Sequence, residues 1–272
     1  MKQLIERKQY MQILRNLKDQ NIIKVITGVR RCGKSTLLQM FADELLQNGV
    51  TQEQIQFYNF EDLDTLALGD IFQIHTHIKH KLIDDKMNYI FLDEVQNIKE
   101  FQRLVDSLFI KKNCDVYITG SNAYLLSGEL ATLLTGRYIE TELLPFSYVE
   151  YVDFLNTYSE KLQKNESFRN SANPLKMTKS ESLSDFIYYG GIPEVYHLLI
   201  DSPTQSDNFV ESVLNTIIEK DIFVRNEIRS KAVFQKVIDF VLDTVGSYVS
   251  ANSITNTLNN SGTNLKNENL IK

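Results

Sequence analysis

Short apolar runs recur along residues 1–155 and are separated by segments in which apolar residues recur at helical spacing. A run of about four to seven apolar residues bounded by polar or turn residues is typical of a buried strand. The runs that fit are Ile22–Ile26, Ile55–Phe60, Tyr89–Leu92, Asp115–Thr119 and Tyr138–Leu144. The pattern therefore predicts five strands in this part of the chain.

Helices are predicted where the apolar period lengthens to three or four residues. Ser35–Leu46 and a stretch from about Leu66 to Ile83 have this period, and each follows a predicted strand. Near the end of the chain, Lys231–Val245 predicts an amphipathic helix and Ser250–Leu258 a short capped one. These segments alternate with the strands in the first half of the chain and follow them in the second half.

The segment between the first strand and the first helix, GVRRCGKST, fits the phosphate-binding motif G-x-x-x-x-G-K-[ST]. Its glycines let the backbone wrap closely round phosphate, so that N–H groups point inward and the helix N-terminus adds a positive partial charge. Strand, loop and helix follow in the order that this P-loop requires. The predicted nucleotide-binding residues are Gly28, Val29, Arg30, Arg31, Cys32, Gly33, Lys34, Ser35 and Thr36.

Within this loop, individual side chains have distinct expected roles. Lys34 should reach the β- and γ-phosphates, and the Ser35 hydroxyl should ligate Mg²⁺. Thr36 falls in the first helical turn. Arg30 and Arg31 occupy variable positions, and each is either solvated surface or a contact to phosphate, a neighbouring subunit or DNA.

Two adjacent carboxylates end the third apolar run, which is the Walker B pattern of P-loop proteins. Asp93 is expected to hold Mg²⁺, and Glu94 is expected to orient and deprotonate the attacking water. Nucleotide kinases and most GTPases do not place a glutamate directly after this aspartate. The pair therefore favours hydrolysis of ATP over transfer of phosphate to a small molecule.

Polar residues after the fourth run, and an arginine before the fifth, are further catalytic candidates. Ser121 and Asn122 could hydrogen-bond the γ-phosphate or the lytic water if this strand lies between the P-loop strand and the Walker B strand. The alternative for either residue is a helix N-cap. Arg137 is a candidate arginine finger that would complete the site of a second copy, or else an exposed surface arginine.

Several motifs occur together in a fixed order: GVRRCGKST, FLDEVQ, ITGSNAYLL, LTGRY followed by LLPFSYVEY, and GGIPEV. In this combination, from about Ile5 to Ile254, the chain resembles a group of prokaryotic ATPases of the AAA+ superfamily. In that group a AAA domain is usually followed by a winged-helix segment and then by a C-terminal domain of unknown function.

The resemblance implies an α/β fold, a P-loop NTPase of the AAA+ type with a five-stranded parallel sheet, followed by a small helical lid and a partial winged-helix segment. It also implies that Pro193, in a Gly-x-Pro element of the lid, lies near the adenine. Without the family, this element is simply a turn before a helix. The expected divisions are residues 1–155 for the ATPase core, 156–184 for a flexible or weakly helical connector, 185–229 for the lid and 230–272 for the winged-helix segment.

The last segment departs from the resemblance. Residues 250–271 outline a helix-turn-helix with a turn at Gly262, but relatives of this kind continue through a complete wing and a further domain. We therefore expect a C-terminally truncated copy. Seven asparagines between Asn252 and Asn269 lower the helix propensity, so the segment is either a DNA-binding element or a packing module.

Composition excludes some classes of function and cellular location but does not identify the function. The 272 residues are 43% hydrophobic and 24% charged, with a net charge of −6, which argues against a general nucleic-acid coat. No membrane segment or signal peptide is indicated, so a cytoplasmic location is expected. Cys32 and Cys114 fit a reducing compartment. Cys32 is either a small filler of the loop or a thiol made reactive by the neighbouring amides.

Two functions remain open on this evidence. The first is Mg²⁺-dependent ATP binding and hydrolysis, coupled to a conformational or partner-binding task. The alternative is a nucleotide-gated regulatory or DNA-binding switch with little turnover. The expected partners are ATP, Mg²⁺ and a second copy that donates Arg137, with DNA as a further alternative and no membrane.

Overall fold

The computed structural model describes residues 4–120, 134, 136–158, 179–201, 206–223, 228, 230–260 and 262. Its strands form one parallel sheet with the order β2-β3-β4-β1-β5. They are β1 (Ile23–Thr27), β2 (Ile55–Asn59), β3 (Asn88–Asp93), β4 (Cys114–Thr119) and β5 (Tyr138–Glu142). The α/β fold with a five-stranded parallel sheet is confirmed, and β4 lies between β1 and β3 as expected.

Helices precede, connect and follow these strands. In chain order they are α1 (Lys8–Leu17), α2 (Lys34–Gln47), α3 (Leu63–Leu66), α4 (Ile71–His80), α5 (Phe101–Phe109), α6 (Tyr148–Thr157), α7 (Lys179–Tyr189), α8 (Pro193–Asp201), α9 (Ser206–Thr216), α10 (Lys231–Asp243) and α11 (Ala251–Asn260). Short 3₁₀ turns occur at Gln52–Gln54 and Val95–Asn97, and a π-helix at Ile217–Phe223.

The expectation of one helix from Leu66 to Ile83 is wrong, because α3 and α4 are separate. Gly69 breaks the helix with a φ of +106°. Asp70 then caps α4, accepting the N–H groups of Phe72 and Gln73 in a capping box. Because this side chain satisfies the first amides of α4, a new helix begins here and the old one does not continue.

Two apolar clusters cover the two faces of the sheet. Ile90 and Leu92 of β3 belong to one cluster, and Tyr89 and Phe91 to the other, because successive side chains of a strand point to opposite faces. Every residue of β1 and β3 is buried. This is the environment of a parallel sheet with helices on both sides, and it explains why these strands read as continuous apolar runs.

A third cluster, rich in aromatic residues, lies where the chain leaves the sheet. It joins the end of the loop after β5 to α6 and α8, through Phe146, Tyr151, Phe154, Leu155, Tyr158, Val195, Tyr196 and Leu199. Helix α6 begins with a capping box between Ser147 and Glu150. The helices that follow the sheet therefore have a core of their own.

The chain divides into two compact units after Asn215. The first holds the sheet, α1–α8 and all of α9 except Thr216, and the second holds Thr216, the π-helix, α10 and α11. The helices expected at Lys231–Val245 and Ser250–Leu258 correspond to α10 and α11. Most of the expected connector and the last segment of the expected helix-turn-helix lie outside the described residues. The four domain limits expected from the sequence stay predictions.

Candidate nucleotide site

The loop between β1 and α2, which is the nest of the predicted phosphate site, has three residues with positive φ. Gly28, Arg31 and Gly33 have φ values of +146°, +65° and +100°. A Cβ atom on Gly28 would lie 2.2 Å from the carbonyl oxygen of Leu143, which follows β5. Glycine is therefore required at this position both by the backbone angle and by the chain segment packed against it.

The ammonium group of Lys34 lies inside the curve of this loop. Lys34 is the first residue of α2 and is buried. Its Nζ donates hydrogen bonds to the carbonyl oxygens of Gly28, at 3.1 Å, and Val29, at 3.3 Å. The same nitrogen lies 3.8 Å from Oε1 of Glu94. The positive charge is thus held between the loop and the end of β3.

Asp93 is the last residue of β3 and is fully buried. Its Oδ1 accepts a hydrogen bond from the hydroxyl of Thr119, whereas Oδ2 has no partner among the described residues. Burial raises the pKa of this carboxyl, and the nearby hydroxyls of Thr119 and Ser35 lower it. Ser35 and Asp93, the two expected magnesium ligands, therefore lie beside one another.

Glu94 follows the strand in a left-handed conformation, with φ of +56°. This turn directs its carboxylate towards Lys34 on one side, and its Oε2 accepts a hydrogen bond from Nε2 of Gln96 on the other. Its backbone N–H donates to Oγ1 of Thr119 at 3.0 Å. The general base expected from the sequence is therefore oriented by its neighbours through both side chain and backbone.

Thr119 and Gln96 are site residues that sequence reasoning missed. The expected polar contacts of β4 were placed at Ser121 and Asn122, which lie outside the described residues. The sequence signal for Thr119 is its position as the last residue of β4, where a threonine ends an otherwise apolar stretch. Gln96 is the last residue of the FLDEVQ motif, and the sequence alone assigns its amide no role.

The remaining P-loop residues differ in their surroundings. Arg30 Nη1 lies 3.8 Å from Oε1 of Glu61, and Arg31 is exposed. Thr36 is exposed on the first turn of α2. Cys32 is fully buried in the same cluster as α2, and burial raises the pKa of its thiol. These observations favour the packing role of Cys32 over the reactive one.

Arg137 lies at the amino end of β1 and β5, whereas the P-loop lies at the carboxyl end of β1. Its carbonyl oxygen accepts the N–H of Ile23, the first residue of β1, whereas the P-loop follows the last. Its guanidinium pairs with Asp106 of α5 and lies over the ring of Phe109, 5.8 Å from the centroid. Arg137 is therefore remote from the nucleotide site of its own chain.

Pro193 begins α8, one residue after the Gly190–Gly191 turn. Phe146 N–H donates to the carbonyl oxygen of Gly191 at 2.6 Å. A Cβ atom on Gly191 would lie 2.5 Å from the carbonyl oxygen of Phe146, so this turn packs directly on the loop after β5. That loop also contacts Gly28 through Leu143, and one segment thus connects Pro193 with the P-loop.

The parallel sheet, the nest at the end of β1 and the acid pair at the end of β3 define the chain as a P-loop protein of the α/β class. Residues 20–152 match the family described as AAA domain (AAA_14), and residues 180–268 match a domain of unknown function, DUF8612. Residues 20–152 of the chain are therefore an AAA domain.

Two relatives match over almost all of the chain. A protein of Haemophilus influenzae is 35% identical over 258 residues, which are 94% of this chain and 60% of the relative. Protein MJ1544 of Methanocaldococcus jannaschii is 31% identical over 254 residues, 91% of this chain and 52% of the relative. The chain thus spans only part of the length of these two relatives.

Two solved structures share the fold. The Walker-type ATPase paby2304 of Pyrococcus abyssi aligns with 98% of this chain and with 87% of its own length. The TM-score is 0.59 and the sequence identity is 16%. Hsp104 of S. cerevisiae, in its complex with casein, aligns with 89% of this chain and with 47% of its own length. The TM-score is 0.53 and the sequence identity is 14%. In the described part of this chain, no helix is both long and apolar enough to cross a membrane.

Proposed function

We propose that this chain binds Mg·ATP at the P-loop and hydrolyses it. The observation that carries the proposal is the meeting of Lys34, Asp93 and Glu94 at the carboxyl ends of two parallel strands, with Lys34 Nζ 3.8 Å from Glu94 Oε1. A cation for the phosphates and a carboxylate for the water are the two groups that this reaction needs from the protein.

Each side chain has one task in the proposed reaction. Lys34 binds the β- and γ-phosphates, together with the backbone N–H groups of the Gly28–Gly33 loop. Glu94 orients the attacking water and accepts its proton. Gln96 holds the carboxylate of Glu94 through Oε2, and Thr119 holds the backbone of the same residue. The base is therefore positioned before substrate arrives.

Magnesium fits the donor set beside the P-loop. Asp93 has a buried oxygen, Oδ2, with no partner among the described residues, and Ser35 supplies a hydroxyl next to the same carboxylate. Hard oxygen donors of this kind are the ligands that Mg²⁺ prefers. Bound there, Mg²⁺ would neutralise phosphate charge and polarise the γ-phosphate.

Substitution separates binding from turnover. We expect Lys34→Ala to lose ATP binding, whereas Glu94→Gln keeps ATP affinity and loses hydrolysis at least ~100-fold. Affinity is measured by calorimetry and turnover by phosphate release. Lys79→Ala and Glu211→Gln remove an exposed lysine and an exposed glutamate and serve as matched controls. Full activity of either P-loop or Walker B variant would reject the proposal.

Removing a metal ligand gives a second test. ATP should raise the melting temperature of the wild type more with Mg²⁺ than with EDTA, because a ligand that binds only the folded state stabilises it. In Asp93→Asn the increment due to Mg²⁺ should disappear. An unchanged increment would place the metal elsewhere.

We also propose that a second copy completes the site with Arg137, since this residue cannot reach the P-loop of its own chain. Support comes from its place at the amino end of β5, at the opposite end of the strands from the P-loop. Arg137→Ala and Glu94→Gln should each be inactive alone. Mixing them should restore activity, because one interface then carries both intact residues. Absence of restoration, or a strict monomer with full turnover, would contradict this role.

We propose a cytosolic location for the protein. Both cysteines are free thiols, which is typical of a reducing compartment.

A further inference from the structure

A buried arginine joins the P-loop to the helices that follow the sheet. Arg7 precedes α1 and is only 4% exposed. Burial of a guanidinium is costly unless its donors are satisfied, so the set of groups that surrounds Arg7 indicates what it holds together.

The donors of Arg7 reach three different segments. Nη1 donates to the carbonyl oxygen of Cys32 in the P-loop at 3.3 Å. Nη2 donates to the carbonyl oxygens of Leu144, at 2.9 Å, and Pro145, at 3.4 Å. Nε pairs with the carboxylate of Glu150, in the first turn of α6. One planar group thus binds the loop, the segment after β5 and the start of α6 at once.

Aromatic rings hold the same guanidinium from its faces. Its central carbon lies 4.9 Å from the ring centroid of Tyr10 and 5.2 Å from that of Phe146. Phe146 belongs to the aromatic cluster of α6 and α8, and its N–H donates to Gly191 of the turn before Pro193. The contacts of Arg7 therefore extend to the start of α8 through a single residue.

The bond to Cys32 also orients an amide of the nest. In a planar trans peptide the N–H of Gly33 points to the side opposite the carbonyl of Cys32. When Arg7 holds that carbonyl, the N–H of Gly33 points away from Arg7. Phosphate binding uses the amides of this loop, so a shift of the Cys32 carbonyl changes the nest itself.

We propose that Arg7 is a positioning residue that couples occupation of the P-loop to α6 and α8, by holding the Cys32 carbonyl and the Glu150 carboxylate with one guanidinium. This inference rests on the proposed ATP binding. Lysine keeps the charge but lacks the planar fork of donors, and so it cannot make these contacts simultaneously.

The test is hydrogen exchange of the full chain with and without Mg²⁺ and the β,γ-imido analogue of ATP. In the wild type, the analogue should slow exchange in the P-loop, in α6 and at the start of α8. In Arg7→Lys and Arg7→Gln, it should slow exchange in the P-loop alone, with the Kd raised ~10-fold. Arg15→Gln, which removes an arginine of α1 that pairs with Glu6 and Glu44, should behave as the wild type.

The possible outcomes are distinct. The coupling is overturned if, in the Arg7 variants, the analogue slows exchange both in the P-loop and in α6 and α8, or in neither region. It is also overturned if the analogue does not slow exchange in α6 and α8 of the wild type. Absence of slowed exchange in the wild-type P-loop would instead refute ATP binding. If neither Arg7 variant folds, Glu150→Gln weakens the same link from the other side and should give the same selective loss; retention of the full response there also overturns the proposal.

Discussion

Thr119 donates its hydroxyl hydrogen to Oδ1 of Asp93, and so it ties the end of β4 to the end of β3 at the proposed magnesium ligand. The same hydroxyl accepts the N–H of Glu94 at 3.0 Å. One buried side chain therefore fixes both members of the acid pair. An hydroxyl is suited to this position because it donates and accepts at the same time.

Thr119→Val should disturb both contacts while keeping the volume and the β-branched shape. A buried N–H and a carboxylate oxygen then lose their partners, which costs about 1–3 kcal/mol of unfolding free energy. Urea denaturation measures this loss, and the Mg²⁺ concentration needed for half-maximal ATPase activity should rise. Thr119→Ser keeps the hydroxyl and is the control. Equal stability of the valine and serine variants would show that the two hydrogen bonds carry no weight.

The sequence predicts the loop and the acid pair because each is a local motif. It does not predict Thr119, because that contact depends on the register between two strands. Leu92 pairs with Ile118, which places Thr119 opposite Asp93. If the register between β3 and β4 were shifted by two residues, another polar side chain would lie opposite Asp93. Nothing in the sequence excludes that register. The sequence does not predict the role of Arg7 for a similar reason, since its hydrogen-bond partners lie 25 or more positions away.

Gly28→Ala should be among the most damaging substitutions in the loop. The φ of +146° disfavours a side chain, and the new Cβ would lie 2.2 Å from the carbonyl oxygen of Leu143. Backbone strain and overpacking together should cost about 3 kcal/mol or more, with loss of ATP binding. Gly49→Ala isolates the backbone effect, because its φ is +91° with no atom within 4 Å, and should cost about 1 kcal/mol. Comparable losses for the two variants would remove the close contact as a cause.

The strands could be predicted well because a parallel sheet covered on both faces requires continuous apolar runs. The break between α3 and α4 was harder, since the apolar period continues across it. Gly69 and Asp70 carried the information, but a glycine and an aspartate are also tolerated inside surface helices. Only the capping box with Gln73 decides between the two possibilities.

Both cysteines should resist alkylation in the folded protein. Burial raises the pKa of Cys32, and burial raises the pKa of Cys114 to about 11. Since the thiolate is the reactive form, iodoacetamide at pH 8 should label Cys114 about 100-fold more slowly than a cysteine peptide, and it should also label Cys32 more slowly than the peptide. The single-cysteine variants Cys114→Ser and Cys32→Ser separate the two rates, and both should become fast in urea. Rapid labelling of Cys32 in the folded chain, blocked by ATP, would favour the reactive thiol.

A buried ion pair joins two strands of the sheet. Lys24 of β1 pairs with Asp115 of β4, and both side chains are 1% exposed. Burial lowers the pKa of Lys24 and raises that of Asp115. Tyr117 donates its hydroxyl hydrogen to the same carboxylate, at 2.8 Å. Removing one partner leaves the other charge without compensation, and this is more costly than removing both.

Asp115→Asn should lose about 3–5 kcal/mol of unfolding free energy at pH 7, because Lys24 stays buried without its partner. The double variant Lys24→Met with Asp115→Asn should be more stable than the sum of the two single losses implies.

The pH dependence of the stability of Asp115→Asn has a definite sign. The pKa of Lys24 is lower in the folded state than in the unfolded state. At a pH between these two pKa values, the unfolded state of Asp115→Asn binds more protons than the folded state. The stability of this variant therefore rises as the pH increases from the lower pKa to the higher one. The double variant lacks this group and should not show that rise in urea denaturation between pH 7 and pH 10. Parallel pH profiles for the two variants would mean that Lys24 carries no uncompensated charge.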